Sequence, residues 1–187
     1  GYYFIPDSVW EEVIASFAPS SPVVDDCLGT SYELDDIWTG YELDFKMDTQ
    51  GNPHYLIQVY ACENQSEEGG CYGVPESGLY HFTADRDQLG VSADAWQWSF
   101  VMTGEYTWGF DDNSVTSYWS SNSSSLAFSV DDPDVIYVTT TMGEPGTPDP
   151  NAPLDPEDEG YCEHIETVLD YPDWSQDIYV IKSEDGG

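Results

Sequence analysis

Tyr41-Glu42-Leu43-Asp44-Phe45-Lys46-Met47-Asp48 alternates an apolar or aromatic side chain with a charged one along its whole length. Successive side chains of an extended chain point to opposite faces. This period of two therefore predicts a strand with Tyr41, Leu43, Phe45 and Met47 buried and Glu42, Asp44, Lys46 and Asp48 in water. Asp48-Thr49-Gln50-Gly51-Asn52-Pro53 then has turn chemistry, and a second extended run occupies 55–62. Together the two runs predict a hairpin.

Outward from that hairpin, extended runs recur at 79–84, 95–103, 105–110, 115–120, 126–130, 135–142 and 178–182, separated by clusters of Gly, Pro, Asp, Asn and Ser. Trp96, Trp98, Phe100 and Met102 share one face of theirs. With the hairpin this makes about nine closely spaced strands, the pattern of a mainly β, antiparallel sandwich of the Ig-like or jelly-roll-like kind.

The opening of the chain reads differently. Ser8-Val9-Trp10-Glu11 matches a capping box, and Val9, Trp10, Val13, Ile14 and Phe17 fall on one helical face. A short N-terminal helix is expected at about 8–17, ended by Pro19 and Pro22. A second short helix is expected near residue 165, where Tyr161, Cys162, Ile165, Val168 and Leu169 keep helical spacing behind Asp155 and Pro156. Four segments follow: an apolar stretch at 1–6, a sandwich body at 7–142, a Pro- and acid-rich spacer at 143–160 inclined to polyproline II, and a tail at 161–187 that packs on the body or on a neighbouring subunit.

Charge sets the setting. The 187 residues carry 37 Asp and Glu against 3 Lys and Arg, a formal net charge of −34, yet 40% are hydrophobic and 15% aromatic. A chain so charged but poor in apolar residues would stay disordered, whereas this one has the material for a core. Its carboxylates need counter-charge from molar salt, bound calcium or a surrounding matrix. Nucleic acid and anionic membranes are expected to be poor partners, because such binding rests on Lys and Arg and only Lys46, Arg86 and Lys182 exist. No apolar run approaches the roughly 20 residues of a membrane-spanning helix.

The four cysteines form an even set, which suits disulfides in an oxidising compartment. Of three pairings, Cys62 with Cys71 across a short polar loop and Cys27 with Cys162 are expected. The chain opens at Gly1 without a charged leader, which fits a product whose export signal has been removed. Asn64 and Asn122 stand in glycosylation acceptor triplets within polar stretches. These features together point to an extracellular, cell-surface or virion-surface location.

Catalytic signatures are scarce. Glycoside hydrolysis needs a carboxyl pair with one member in an apolar setting, and Glu105, beside Tyr106 and Trp108, is the glutamate that qualifies as a candidate. A Gly-x-Ser-x-Gly elbow and a phosphate-cradling glycine loop are both missing from the sequence. Zinc is not expected, since no Cys-x-x-Cys pair occurs and His54, His81 and His164 lie far apart in sequence. No cofactor is expected, and calcium is the one ion to consider: Asp85-Arg86-Asp87-Gln88-Leu89-Gly90 resembles the start of an acidic calcium loop, although Leu89 stands where oxygen is usual and no glutamate closes the motif. Asp131-Asp132-Pro133-Asp134 is a second oxygen-rich loop.

The ends point to assembly. Tyr2, Tyr3, Phe4 and Ile5 precede the helix, and the strand-like 178–182 lies near the other end; either could add a strand to a neighbour's sheet. The sequence thus leads to a non-enzymatic, secreted structural subunit whose partners are copies of itself, in a filament, pilus-like fibril, sheath or surface layer. A carbohydrate-binding module that stacks sugars on Trp108 or Trp119 is the alternative, and a hydrolase built on Glu105 a more distant one.

Overall fold

The computed structural model describes residues 4–25, 29–63, 70–72, 74–103, 108–109, 118–119, 124–132, 134–143 and 176–184. Tyr2, Tyr3, Cys27, Asn64, Glu105, Asn122, Cys162, the helix expected near 165 and nearly all of the 143–160 spacer lie outside the described residues.

The first element is a nine-residue helix, α1 (Asp7–Ala15). Pro6 is its N-cap in extended conformation, and Val9 and Trp10 donate their amides to the Pro6 carbonyl at 3.0 and 3.4 Å. The expected capping box does not form. Proline starts the helix one residue earlier, so Ser8 lies inside the first turn, and the Asp7 carboxylate there complements the positive end of the helix dipole. Ser16 closes the other end, its hydroxyl donating to the Val13 carbonyl at 2.6 Å. Val9, Val13 and Phe17 are buried, the face expected from their spacing.

Among the described residues twelve strands follow: β1 (Val23–Asp25), β2 (Thr30–Tyr32), β3 (Asp36–Met47), β4 (Pro53–Cys62), β5 (Cys71–Tyr72), β6 (Gly78–Ala84), β7 (Trp96–Thr103), β8 (Trp108–Gly109), β9 (Tyr118–Trp119), β10 (Ser125–Phe128), β11 (Ile136–Gly143) and β12 (Gln176–Ser183). The chain is mainly β, with antiparallel sheets and one N-terminal helix, as expected. The larger sheet has the order β3-β4-β6-β7, with β5 also paired to β4, and the second sheet the order β10-β11-β12. β1 pairs with β2 and β8 with β9 in separate ribbons. Each sheet is a meander of strands in chain order, and neither shows Greek-key interleaving among the described residues.

The central strands β4 and β6 are buried along nearly their whole length because both of their faces are covered. On one face, Val9 and Val13 of α1 and Phe17 just after it pack against Ile57, Val59, Tyr80, Phe82 and Trp96. On the other, Leu56 and Leu79 close a cluster with Leu126, Ile136 and Val138 of the second sheet, flanked by Val101, Phe128 and Ile181. The two sheets therefore share an apolar interior in a sandwich-like arrangement, with the helix as a third layer.

The hairpin forms as expected, Phe45 standing opposite Tyr55 and Lys46 opposite His54, but β3 is turned over. Leu43, Phe45 and Met47 are 56%, 46% and 50% exposed. Asp44 instead faces β10, where one carboxylate oxygen accepts the Leu126 amide at 2.7 Å and the Ser125 hydroxyl at 3.1 Å. The cause is layer width. β3 is an edge strand, and the apolar layer around α1 reaches Ile37 at its start without including Leu43, Phe45 or Met47. Cys62 and Cys71, opposed across β4 and β5, form the expected disulfide.

Candidate functional site

Three places combine unusual chemistry with position. The first is a cleft of about 840 Å³ at the end of the larger sheet where the β3–β4 turn meets the loop after β6. The turn is held by Asp48, whose carboxylate accepts the Gln50 and Asn52 amides at 2.8 Å each and the Asn52 side-chain amide at 2.9 Å. Burial pushes the Asp48 carboxyl up, but the hydrogen bonds from Asn52 and Gln50, with His54 nearby, outweigh it and hold it below its ordinary value. Gly51 sits in this turn at φ +86°, where a side chain would be strained and its Cβ would meet the Arg86 guanidinium at 2.8 Å.

Asp48, Asp85, Asp87, Asp94 and Asp134 line the cleft with Arg86 and His54. Three of the five calcium candidates thus share one wall, while Asp131 and Asp132 do not line it. Several of these carboxylates are already engaged: Asp85 accepts the Asp87 amide at 2.8 Å, Asp132 accepts the Asp134 amide at 3.1 Å, and Asp87 contacts Arg86 Nε at 3.2 Å. Among the described residues no three His, Cys, Asp or Glu side chains converge in a way that could hold a metal ion.

The second place is a buried histidine pair that the distance along the sequence concealed. β4 and β6 are register neighbours, with His54 opposite Thr83 and Leu56 opposite His81, so two histidines remote in the chain become diagonal neighbours on the face toward the second sheet. His54 Nδ1 lies 2.8 Å from His81 Nε2, and the residues are 5% and 2% exposed. The edge of Phe128 covers His54 at 4.8 Å between centroids.

The neighbours assign the tautomers. His54 Nε2 faces the Asp48 carboxylate at 3.6 Å and Thr83 Oγ1 at 3.4 Å. Thr83 gives its own proton to the Pro53 carbonyl, so both neighbours of Nε2 are acceptors and the proton belongs on Nε2. His54 Nδ1 is then an acceptor, and His81 Nε2–H donates to it. Burial lowers the proton affinity of both rings, opposed at His54 by Asp48 and reinforced at His81 by His54, which brings His81 to about 4. The sequence signal for this pair is slight: each histidine interrupts an otherwise apolar extended run.

The third place is the second sheet. β12 is paired along all eight residues with β11 of its own chain, so the tail strand completes its own sheet. Its other edge has no strand partner among the described residues. Ile178 and Val180 on its outer face are 75% and 66% exposed, and Lys182, Tyr137, Thr139, Ser125 and Ala127 share that face. Within the paired strands none of these is a carboxylate, and the Glu184 carboxylate just past β12 is paired to Lys182. At the N-terminus Ile5 packs on the chain's own core while Phe4 is 82% exposed. In the β8–β9 ribbon, Trp108 stands opposite Trp119.

The architecture defines a mainly antiparallel β protein with one covering helix. No protein-family model, curated protein or solved structure matches the chain.

Proposed function

We propose that this chain is a non-enzymatic, secreted structural subunit that assembles with copies of itself into an extracellular filament, sheath or surface layer. The observation that carries the reading is the outer face of β12 together with its second edge, which has no strand partner among the described residues. A long edge strand with unpaired backbone groups is a template for another strand, and folded proteins guard such edges with charges, proline or bulges. β12 carries charges only near its ends, Asp177 and Lys182, and from Ile178 to Ile181 it has none of these. In a molecule of net charge −34, a sheet face whose one nearby carboxylate, Glu184, is paired to Lys182 is also where a second copy meets little repulsion. Strand addition therefore takes place at this edge, and not by donation of the terminal strand.

The test is sedimentation of native protein from low to molar sodium chloride, with and without EDTA. Assembly is expected to grow with salt. Val180→Lys, at an exposed position, is expected to leave the circular dichroism unchanged and to abolish assembly. Wild-type protein that is monomeric throughout, or a variant that assembles as well as wild type, overturns the proposal.

A carbohydrate-binding module is the second reading, favoured by the opposition of Trp108 and Trp119 in one ribbon. It requires glycan affinity that falls at least about tenfold in the Trp108→Ala, Trp119→Ala double variant. Unchanged affinity removes this pair as the platform.

A further inference from the structure

Between the two sheets lies a second cavity, of about 200 Å³, whose walls include His81, Ser99, Val101, Ile136, Val138 and Ile181. It is largely apolar, and its most buried polar wall is His81. The tautomers argued above place the His81 proton on Nε2, in the bond to His54, and leave Nδ1 as a bare lone pair. Nδ1 has no hydrogen-bond partner among the described residues, although the residue is 2% exposed. A buried acceptor left unsatisfied is rare in folded proteins, and its desolvation is what a donor in the cavity would recover.

We propose that this cavity binds a small, mostly apolar molecule with a single hydroxyl donor, an aliphatic alcohol or a phenol by chemical class, whose proton is accepted by His81 Nδ1. Apolar walls take the body of the ligand and the imidazole fixes its one polar end, the usual division of labour in small-molecule sites. The chain Asp48–His54–His81 positions that acceptor: the carboxylate orients His54, and His54 orients His81 with the lone pair outward from the pair. A neutral ring suits a neutral donor, and a cation is disfavoured by the apolar walls. A bound water would satisfy the same lone pair with the Ser99 and Ser183 hydroxyls that also line the cavity, and the ligand has to displace it. The proposal is independent of assembly at β12.

The experiment is a titration of ¹⁵N-labelled protein with phenol, using toluene as the isostere without a donor, read on the histidine ring nitrogens. Phenol is expected to bind saturably, about tenfold or more tighter than toluene, and to move the His81 Nδ1 resonance. Val101→Phe, which fills the cavity from β7, should abolish the response while leaving the His54 and His81 tautomers intact. No saturable binding, equal affinity for toluene, an unchanged response in Val101→Phe, or a His81 proton found on Nδ1 would each overturn the proposal; the first of these leaves the cavity to water.

Discussion

At the scale of single residues, the buried histidines make stability depend on pH with a definite sign. His81 has its proton affinity lowered from 6.5 to about 4 by burial and by His54, so the folded chain holds fewer protons there than the unfolded chain. Stability from this group is full above about pH 6.5 and is lost as pH falls toward 4, by about 3 kcal/mol in total. Urea denaturation across that window should show the fall. His81→Gln, which keeps an N–H for His54 but cannot titrate, should flatten it, and a variant with the wild-type slope would show that another group is responsible. None of this was visible in the sequence. Separation along the chain argued against the histidines meeting, because pairing of β4 with β6 is a property of register. Asp48 was legible as a turn residue but not as the neighbour of His54.

Among elements, β3 shows how far a pattern carries. Alternation from Tyr41 to Asp48 identifies a strand, and the turn at Gly51 identifies its hairpin partner, yet alternation says only that two faces differ. Which face is covered depends on the layers, and a nine-residue helix does not span the sheet to its edge. The difference is measurable. Met47→Thr, on the uncovered strip, should change the free energy of unfolding by less than about 0.5 kcal/mol. Leu56→Ala, between the sheets at 1% exposure, should cost about 2–5 kcal/mol. Comparable losses at the two sites would mean that the strip at 43–47 is buried after all. The short ribbons escaped sequence reading for a different reason: β1, β2 and β5 are two or three residues long, below the length at which a period can be seen.

For the molecule as a whole, charge is the dominant fact and the sequence displayed it in full. All three cations are engaged locally: Lys46 with Asp44 at 3.3 Å, Arg86 with Asp87 at 3.2 Å, and Lys182 with Glu184. Such exposed, short-range pairs contribute little to stability and tie no distant parts together. Most carboxylates therefore have no counter-charge within the chain, and screening must supply it. The melting temperature should rise steadily from millimolar to molar sodium chloride as the screening length contracts from about 30 to about 3 Å; a flat profile would show that self-repulsion is not what limits the fold. The same scarcity bears on proteolysis. A protease that cuts after Lys or Arg finds three addresses in this chain, and two of them, Lys46 and Lys182, lie inside hydrogen-bonded strands. Arg86 alone stands in a turn. A nick there would part β6 from β7 along the backbone, but seven paired residues would still hold them side by side, so digestion would yield two fragments clasped as one body.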